Sequence, residues 1–259
     1  MRALLAILLI SLLPAWAFAA GHDTALERVD VDVSDKAALQ DGARTFVNYC
    51  MGCHSAKFQR YERVADDLGI THALMMKELV LTGARIGDHM DIGMQPADAK
   101  AWFGTPPPDL TLVAQVRGTD WLYAYLRSFY EDPTRPWGVN NTVFPNTGMP
   151  NVLEGLQGRQ RLECTQAGPV EEGNTPRTTP AVSGLSPHTC DQLAVVPNTG
   201  SLTEAQFNEK LRNLVSFLAY SADPTALQRQ RIGIYVLMYL AVLLILAYLL
   251  KREYWKDVN

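Results

Sequence analysis

Cys50-Met51-Gly52-Cys53-His54 places two thiols three positions apart with an imidazole directly after them, the grouping in this chain most able to do chemistry. Thiols at that spacing near a helix end reach both vinyl-derived carbons of a porphyrin. The adjacent imidazole then projects at the iron from one face, so the run reads as a c-type haem attachment sequence. A thioredoxin-like C-x-x-C needs a strand before it and a helix opening at the first cysteine, whereas here a helical pattern comes first. A tetrahedral zinc site needs further ligands at matching spacing, and the other two cysteines, Cys164 and Cys190, are not grouped to supply them. The expected cofactor is one haem c, bound covalently through Cys50 and Cys53 with His54 as an axial iron ligand.

The sixth iron position needs a donor from elsewhere. Met149 lies about one hundred residues on, in the Pro- and Gly-rich run Phe144-Pro145-Asn146-Thr147-Gly148-Met149-Pro150. A loop of that composition can bring a thioether close to the iron, and Met/His ligation raises the potential. Met90 and Met94 are the rivals. Met75 and Met76 fall in an expected helix over 71–81, where methionine is usually core filler, and His72 and His89 read as surface histidines. Composition leaves Met149 and Met94 level. Cys164 and Cys190 flank a Pro-, Gly- and Thr-rich stretch without helical period, so a disulfide pinning it is expected, worth ~3 kcal/mol by loop closure. A pair of free buried thiols is the alternative.

The elements that must position these residues are mostly α-helical. A helix capped by Ser34 or Asp35 runs into the motif with Leu39, Ala43, Phe46, Val47 and Cys50 on one face. An aromatic-rich helix is expected over 119–130, stopped by Pro133 and Pro136. Ser201-Leu202-Thr203-Glu204 reads as a capping box opening a helix to about Ala222, with Phe207, Leu211, Leu214, Val215 and Leu218 facing the helix before Cys50. Residues 1–19 have the order of a secretory signal peptide. Residues 232–250 form an uncharged apolar run of nineteen, just long enough at ~1.5 Å per residue to cross a lipid bilayer. The expected layout is an exported haem domain over 20–223 with an insertion at 159–197, a linker over 224–231, a transmembrane helix over 232–250 and a cytoplasmic tail over 251–259. Lys251, Arg252 and Lys256 follow the span and Arg229 and Arg231 precede it, so the signal peptide sets the orientation.

Across all 259 residues Lys and Arg number 23 against 27 Asp and Glu, a net charge of −4. No basic run offers a phosphate-binding stripe, which argues against nucleic acid as a partner. Between Ala20 and Gln230 there are 18 basic and 25 acidic side chains, a net −7, a surface suited to a basic or dipolar soluble partner. An acidic excess also simply keeps exported domains soluble.

Cys50 to Ser55, Phe58-Gln59-Arg60-Tyr61, Pro107-Pro108-Asp109-Leu110-Thr111, Asn146 to Pro150 and one C-terminal span follow one another in an order that resembles the cytochrome c1 family. These are the haem subunits of the cytochrome bc1 complex, the ubiquinol–cytochrome c oxidoreductase. The resemblance implies a mostly α c-type haem domain with one C-terminal transmembrane helix. It favours Met149 over Met94 as axial ligand, sets Arg117 near a haem propionate and lets Pro108 pack on the haem. It also implies one-electron transfer from a Rieske iron–sulfur protein to soluble cytochrome c, beside cytochrome b in a dimeric complex of a bacterial inner membrane. The haem domain would lie in the periplasm and the C-terminus in the cytoplasm. A free membrane-tethered shuttle or a terminal oxidase subunit is the alternative. The stretch 159–197 departs from the family pattern.

Overall fold

The computed structural model describes residues 26–166 and 188–256; the expected signal peptide lies outside them. In chain order they form α1 (Lys36–Thr45), a π-helical turn (Phe46–Cys50), β1 (Ala56–Arg60), α2 (Tyr61–Leu68), α3 (His72–Glu78), β2 (His89–Met90), α4 (Pro96–Phe103), α5 (Val113–Arg117), α6 (Thr119–Arg127), β3 (Phe129–Glu131), β4 (Val139–Asn141), α7 (Glu154–Gln157), β5 (Gln160–Gln166), β6 (His188–Val195), α8 (Glu204–Ala222) and α9 (Ala226–Tyr254). The strands make three separate antiparallel pairs, β1 with β2, β3 with β4 and β5 with β6. The fold is mostly α, with one C-terminal apolar helix able to span a membrane.

The core is organised around the crossing of α1 and α8. Asp35 caps α1, its carboxylate accepting from the Ala37 and Ala38 amides at 2.9 and 3.1 Å. The expected apolar faces of both helices are buried, Phe46, Leu214 and Val215 completely, and the Phe46 and Phe217 rings lie 5.7 Å apart. Gly42 sits at the point of closest approach, where an added Cβ would collide with the Asn213 carbonyl oxygen and reach within 2.7 Å of the Phe217 Cβ. Glycine there lets two backbones meet.

Asp41 staples the crossing from its rim. Its carboxylate accepts from Lys210 at 2.9 Å, Asn213 at 3.1 Å and Arg44 at 2.6 Å. Burial alone would raise its pKa, but these partners outweigh burial and hold it below the ordinary carboxylate value. A depressed folded pKa contributes stability above the unfolded value, lost as pH falls through the folded value. On acidification below about pH 4, the melting temperature of the wild-type chain is therefore expected to fall more steeply than that of Asp41→Asn. Parallel curves in a thermal melt series would contradict this. The effect is modest, because the pair is partly solvated.

Three local differences from the sequence expectation have physical causes. The capping box of α8 is Thr203 with Gln206, two residues later than the Ser201/Glu204 pair. Ser201 is committed elsewhere, its amide and hydroxyl both donating to the Gly155 carbonyl at 3.1 and 2.9 Å. α6 stops at Arg127 and not at Tyr130: the Ser128 hydroxyl donates back to the Ala124 carbonyl at 2.6 Å, and Phe129–Glu131 pairs as a strand with Val139–Asn141. The turn that leads into the Cys50–His54 run and ends on Cys50 is a π-helix, the Met51 amide donating to the Phe46 carbonyl at 2.9 Å, a widening often found at functional sites.

At the other end, α9 starts at Ala226 and runs 29 residues to Tyr254, so most of the stretch 224–231 is helical. Asp223 interrupts the chain between α8 and α9 and pairs with Arg229 at 2.6 Å. Among the described residues nothing buries the apolar span of α9. At ~1.5 Å per residue α9 exceeds the ~30 Å of a hydrocarbon core. Two glutamines tie the C-terminus of α8 to the site elements, Gln59 donating to the Ser221 carbonyl at 2.6 Å and Gln115 to the Ala222 carbonyl at 3.2 Å. In the β5–β6 pair, Cys164 lies directly opposite Cys190 in the backbone register.

Candidate functional site

Cys50 closes the π-helical turn with its side chain buried, while Cys53 is half-buried. Burial, with Cys53 as a lesser influence, pushes the Cys50 thiol up to about 12, so a free thiolate is disfavoured there. The Cys53 and His54 amides both donate to the Cys50 carbonyl, at 3.1 and 2.9 Å. That compact turn sets the two sulfurs and the imidazole off from one short segment.

His54 is oriented by the Pro-Pro-Asp-Leu segment. Its Nδ1 lies 2.7 Å from the Pro108 carbonyl oxygen. A carbonyl only accepts, so Nδ1 carries the proton and Nε2 keeps its lone pair, the tautomer an iron ligand needs. Burial lowers the imidazole pKa, against an upward pull from the Pro108 carbonyl and Asp109, and the net value stays below the ordinary one. The ring is thereby held neutral.

Asp109 makes that contact rigid. One carboxylate oxygen accepts from the Ser55 hydroxyl at 2.7 Å and the Lys57 amide at 2.8 Å, and the other from the Thr111 amide at 3.0 Å. The Leu110 amide adds a bond to the Ser55 carbonyl at 2.8 Å. Burial would raise the Asp109 pKa, yet the Thr111, Lys57 and Ser55 bonds outweigh it and keep the carboxyl below its ordinary value. Asp109 thus clamps residues 55–57 onto 109–111, and Pro108 meets His54 as a consequence. The sequence marked Asp109 as part of a motif; its clamp role has no local signal, because Ser55 and Lys57, which it joins to 109–111, lie more than fifty residues away.

Met149 sits on a loop built by two asparagines. Asn141 Oδ1 accepts from the Val143 and Phe144 amides, each at 2.9 Å, and Asn140 Oδ1 accepts from the Asn146 amide at 2.8 Å. Arg135 donates to the Asn146 carbonyl at 3.1 Å, holding Asn146 in a left-handed conformation with φ 64° that asparagine tolerates. The Met149 side chain is half-buried against the main core. Its sulfur receives the Tyr125 hydroxyl at 3.5 Å, and that hydroxyl lies 2.9 Å from Thr147 Oγ1. Burial pushes the Tyr125 phenol above its ordinary pKa despite the opposing Thr147 bond, so it stays protonated. Met94 is also half-buried, but it is not among the residues packed against the core. Met90 and Met75 are buried in that core, and Met76 is 39% exposed.

Arg117 is exposed at the end of α5, with its guanidinium carbon 5.0 Å from the Trp121 ring centre and 5.8 Å from that of Phe144. Trp121 stacks on Tyr125 at 4.9 Å and 8°. Arg117 therefore joins the aromatic cluster that backs the Met149 loop, with a donor face turned to no carboxylate among the described residues. A flat cation on aromatic faces keeps its fork available for a carboxylate. Pro108 is exposed. Contacts link the residues of the site in two groups, Cys50, Cys53, His54 and Pro108 in one, and Arg117 and Met149, joined through Trp121 and Tyr125, in the other. Tyr125 and Thr147 are the members that sequence reasoning missed; the helix-spaced aromatics Trp121, Tyr125 and Phe129 were the available signal. The Cys164 and Cys190 side chains lie outside the described ones.

The donor set fits a haem c: two sulfurs for covalent attachment, a neutral imidazole with a directed lone pair, and a thioether on a braced loop. The Cytochrome C1 family profile matches residues 198–258. The chain is similar to a cytochrome c1 of Allochromatium vinosum, 43% identical over 259 residues that cover all of both chains. It is also similar to a Nitrosomonas europaea protein named ammonia monooxygenase gamma subunit, 38% identical over 98% of this chain and 97% of that one. A cytochrome c1 of Rhodospirillum rubrum is 26% identical over 87% of this chain and 83% of that one.

Proposed function

Because the chain belongs to the cytochrome c1 family, we propose that it takes single electrons from a Rieske iron–sulfur protein and passes them to a soluble cytochrome c. At the coarser level a cytochrome c1 is a membrane-anchored electron-transfer subunit of the bc1 oxidoreductase complex, which implies cytochrome b and a Rieske protein as partners. The observation that carries the reading is the His54–Pro108 contact, which holds the imidazole in the ligating tautomer directly after the paired cysteines.

Cys50 and Cys53 would hold a haem c covalently, with His54 and Met149 as the iron ligands, and the group would supply a one-electron couple. The protein's own contribution is orientation and environment. Asp109 and Pro108 fix His54, the Asn140/Asn141 loop fixes Met149, Arg117 would offer its fork to a propionate, and Pro108 would pack on the haem. α9 keeps the domain at the membrane surface beside cytochrome b. The net acidic exported surface steers a basic partner. No nucleophile or acid–base pair is part of this scheme.

The domain layout belongs to the same proposal: a cleaved signal peptide over 1–19, a periplasmic haem domain over 20–223, a membrane span over 232–250 and a cytoplasmic tail over 251–259, within a dimeric complex of a bacterial inner membrane. It also includes a Cys164–Cys190 disulfide, favoured by their facing positions in the β5–β6 register, since directly opposed residues stand at roughly the Cα separation a disulfide spans. Alkylation of the unfolded, unreduced chain is expected to leave both cysteines unlabelled until a reductant is added; labelling without reductant would rule the bond out.

Purification in mild detergent tests the assembly. Co-elution of this chain with b-type haem and an iron–sulfur cluster supports the proposal. Elution as a lone c-type species contradicts it in favour of a tethered shuttle, and elution with a monooxygenase contradicts it in favour of the assembly named for the Nitrosomonas relative.

A further inference from the structure

Met149 is enclosed in a small ring of hydrogen bonds that begins and ends on itself. Its amide lies 3.4 Å from Thr147 Oγ1, that oxygen lies 2.9 Å from the Tyr125 hydroxyl, and the hydroxyl lies 3.5 Å from the Met149 sulfur. Each hydroxyl has one proton to give. The amide can only donate and the thioether can only accept, so one direction satisfies every member: amide to Thr147, Thr147 to Tyr125, Tyr125 to sulfur. The reverse would leave two lone-pair-bearing atoms, the phenol oxygen and the sulfur, facing each other with no proton between them.

The phenol has little freedom to leave this arrangement. Its ring stacks on Trp121 at 4.9 Å, meets Phe129 edge-on at 5.2 Å and Phe144 at 6.4 Å. Tyr125 is 9% exposed and Thr147 5% exposed, and hydrogen bonds away from water are electrostatically stronger. A thioether sulfur has two lone pairs, so a donor fixed on one leaves the other with a defined direction.

We propose that Tyr125 is a positioning residue, whose hydroxyl, polarised by Thr147, donates to the Met149 sulfur, aims its remaining lone pair and raises the potential of the metal that this sulfur ligates. The inference rests on Met149 being the axial ligand. Its sign follows from charge: a proton donor on sulfur draws electron density away, which favours the more electron-rich reduced iron. Outer hydrogen bonds to ligating atoms are a recognised way in which proteins tune such centres.

The test uses the full-length chain in solubilised membranes, with the near-infrared sulfur-to-iron band and an equilibrium redox titration as readouts. Met149→Leu is expected to abolish the band. Tyr125→Phe, which keeps the ring and removes only the hydroxyl, is expected to retain the band at a shifted position. It should also move the equilibrium roughly threefold to tenfold toward the oxidised form, the upper end being about 59 mV for one electron. Thr147→Val should shift it in the same direction by less, and Thr147→Ser should restore it, which keeps the inference testable should Tyr125→Phe assemble poorly. If Met149→Leu abolishes the band while Tyr125→Phe and Thr147→Val leave the potential unchanged or raise it, the positioning role is overturned and the ligand assignment stands. If the band survives Met149→Leu, both are overturned.

Discussion

Replacing His54 by alanine is expected to abolish the low-spin c-type spectrum of this chain, while Pro108→Ala leaves it close to wild type. The two outcomes follow from one geometry. His54 supplies the imidazole, and the group that orients it is the backbone carbonyl of residue 108, which alanine retains. The position of that carbonyl is set by Asp109 through Ser55, Lys57 and Thr111. Asp109→Ala should therefore fall between the two, assembling haem in reduced yield, because loss of an outer-shell orienting partner typically costs ten- to a hundredfold in metal-site function. Haem-stained gels and pyridine haemochrome spectra of membranes carrying each variant measure this order. A normal reduced spectrum from His54→Ala would remove His54 from the axial position.

The second large effect concerns the scaffold. Gly42→Ala is expected to destabilise the domain by about 3 kcal/mol or more, at the upper end of overpacking costs. For a chain of this size that lowers the melting temperature by roughly 6–12 °C. The reason is the identity of the obstacle: an added Cβ meets the Asn213 backbone carbonyl and the Phe217 Cβ, and neither is the far end of a flexible side chain that could swing away. Relief requires α1 and α8 to separate, which disturbs the Phe46–Phe217 contact and the Asp41 staple together. Gly155→Ala is the control, since nothing lies within 4 Å of a Cβ there and the residue is helical, and its melting temperature should stay near wild type. Equal melting temperatures for the two variants would show that the crossing yields more readily than its geometry implies.

Much of this scaffold could be read from residue order, because the signals were local and periodic. The faces of α1 and α8 were visible as three- and four-residue spacing, and every residue assigned to them is buried. The C-terminal helix was visible as an uncharged run, although its start at Ala226 was not, since the polar turn before the span carries no apolar pattern. The helix-capping pair was ambiguous because Ser201/Glu204 and Thr203/Gln206 satisfy the same spacing, and only the bond from Ser201 to Gly155 decides between them. The site divides in the same way. Cys50, Cys53 and His54 are adjacent and legible, whereas the Asp109 clamp spans more than fifty residues and the Tyr125–Met149 bond twenty-four. The Tyr125–Met149 contact depends on how the hairpin of β3 and β4 returns the chain, and the clamp on how the chain between Lys57 and Asp109 folds back, neither of which any periodicity encodes.

The function proposed for this chain is a relay of single electrons from quinol oxidation in the membrane. Its most direct test is the rate at which the c-type absorbance of the full-length chain in intact membranes is reduced on adding quinol, with and without an inhibitor of the quinol-oxidation site. Rapid reduction that the inhibitor blocks is expected, with the b-type bands present in the same membranes. Reduction of the c-type band that proceeds unchanged in the presence of the inhibitor would contradict it.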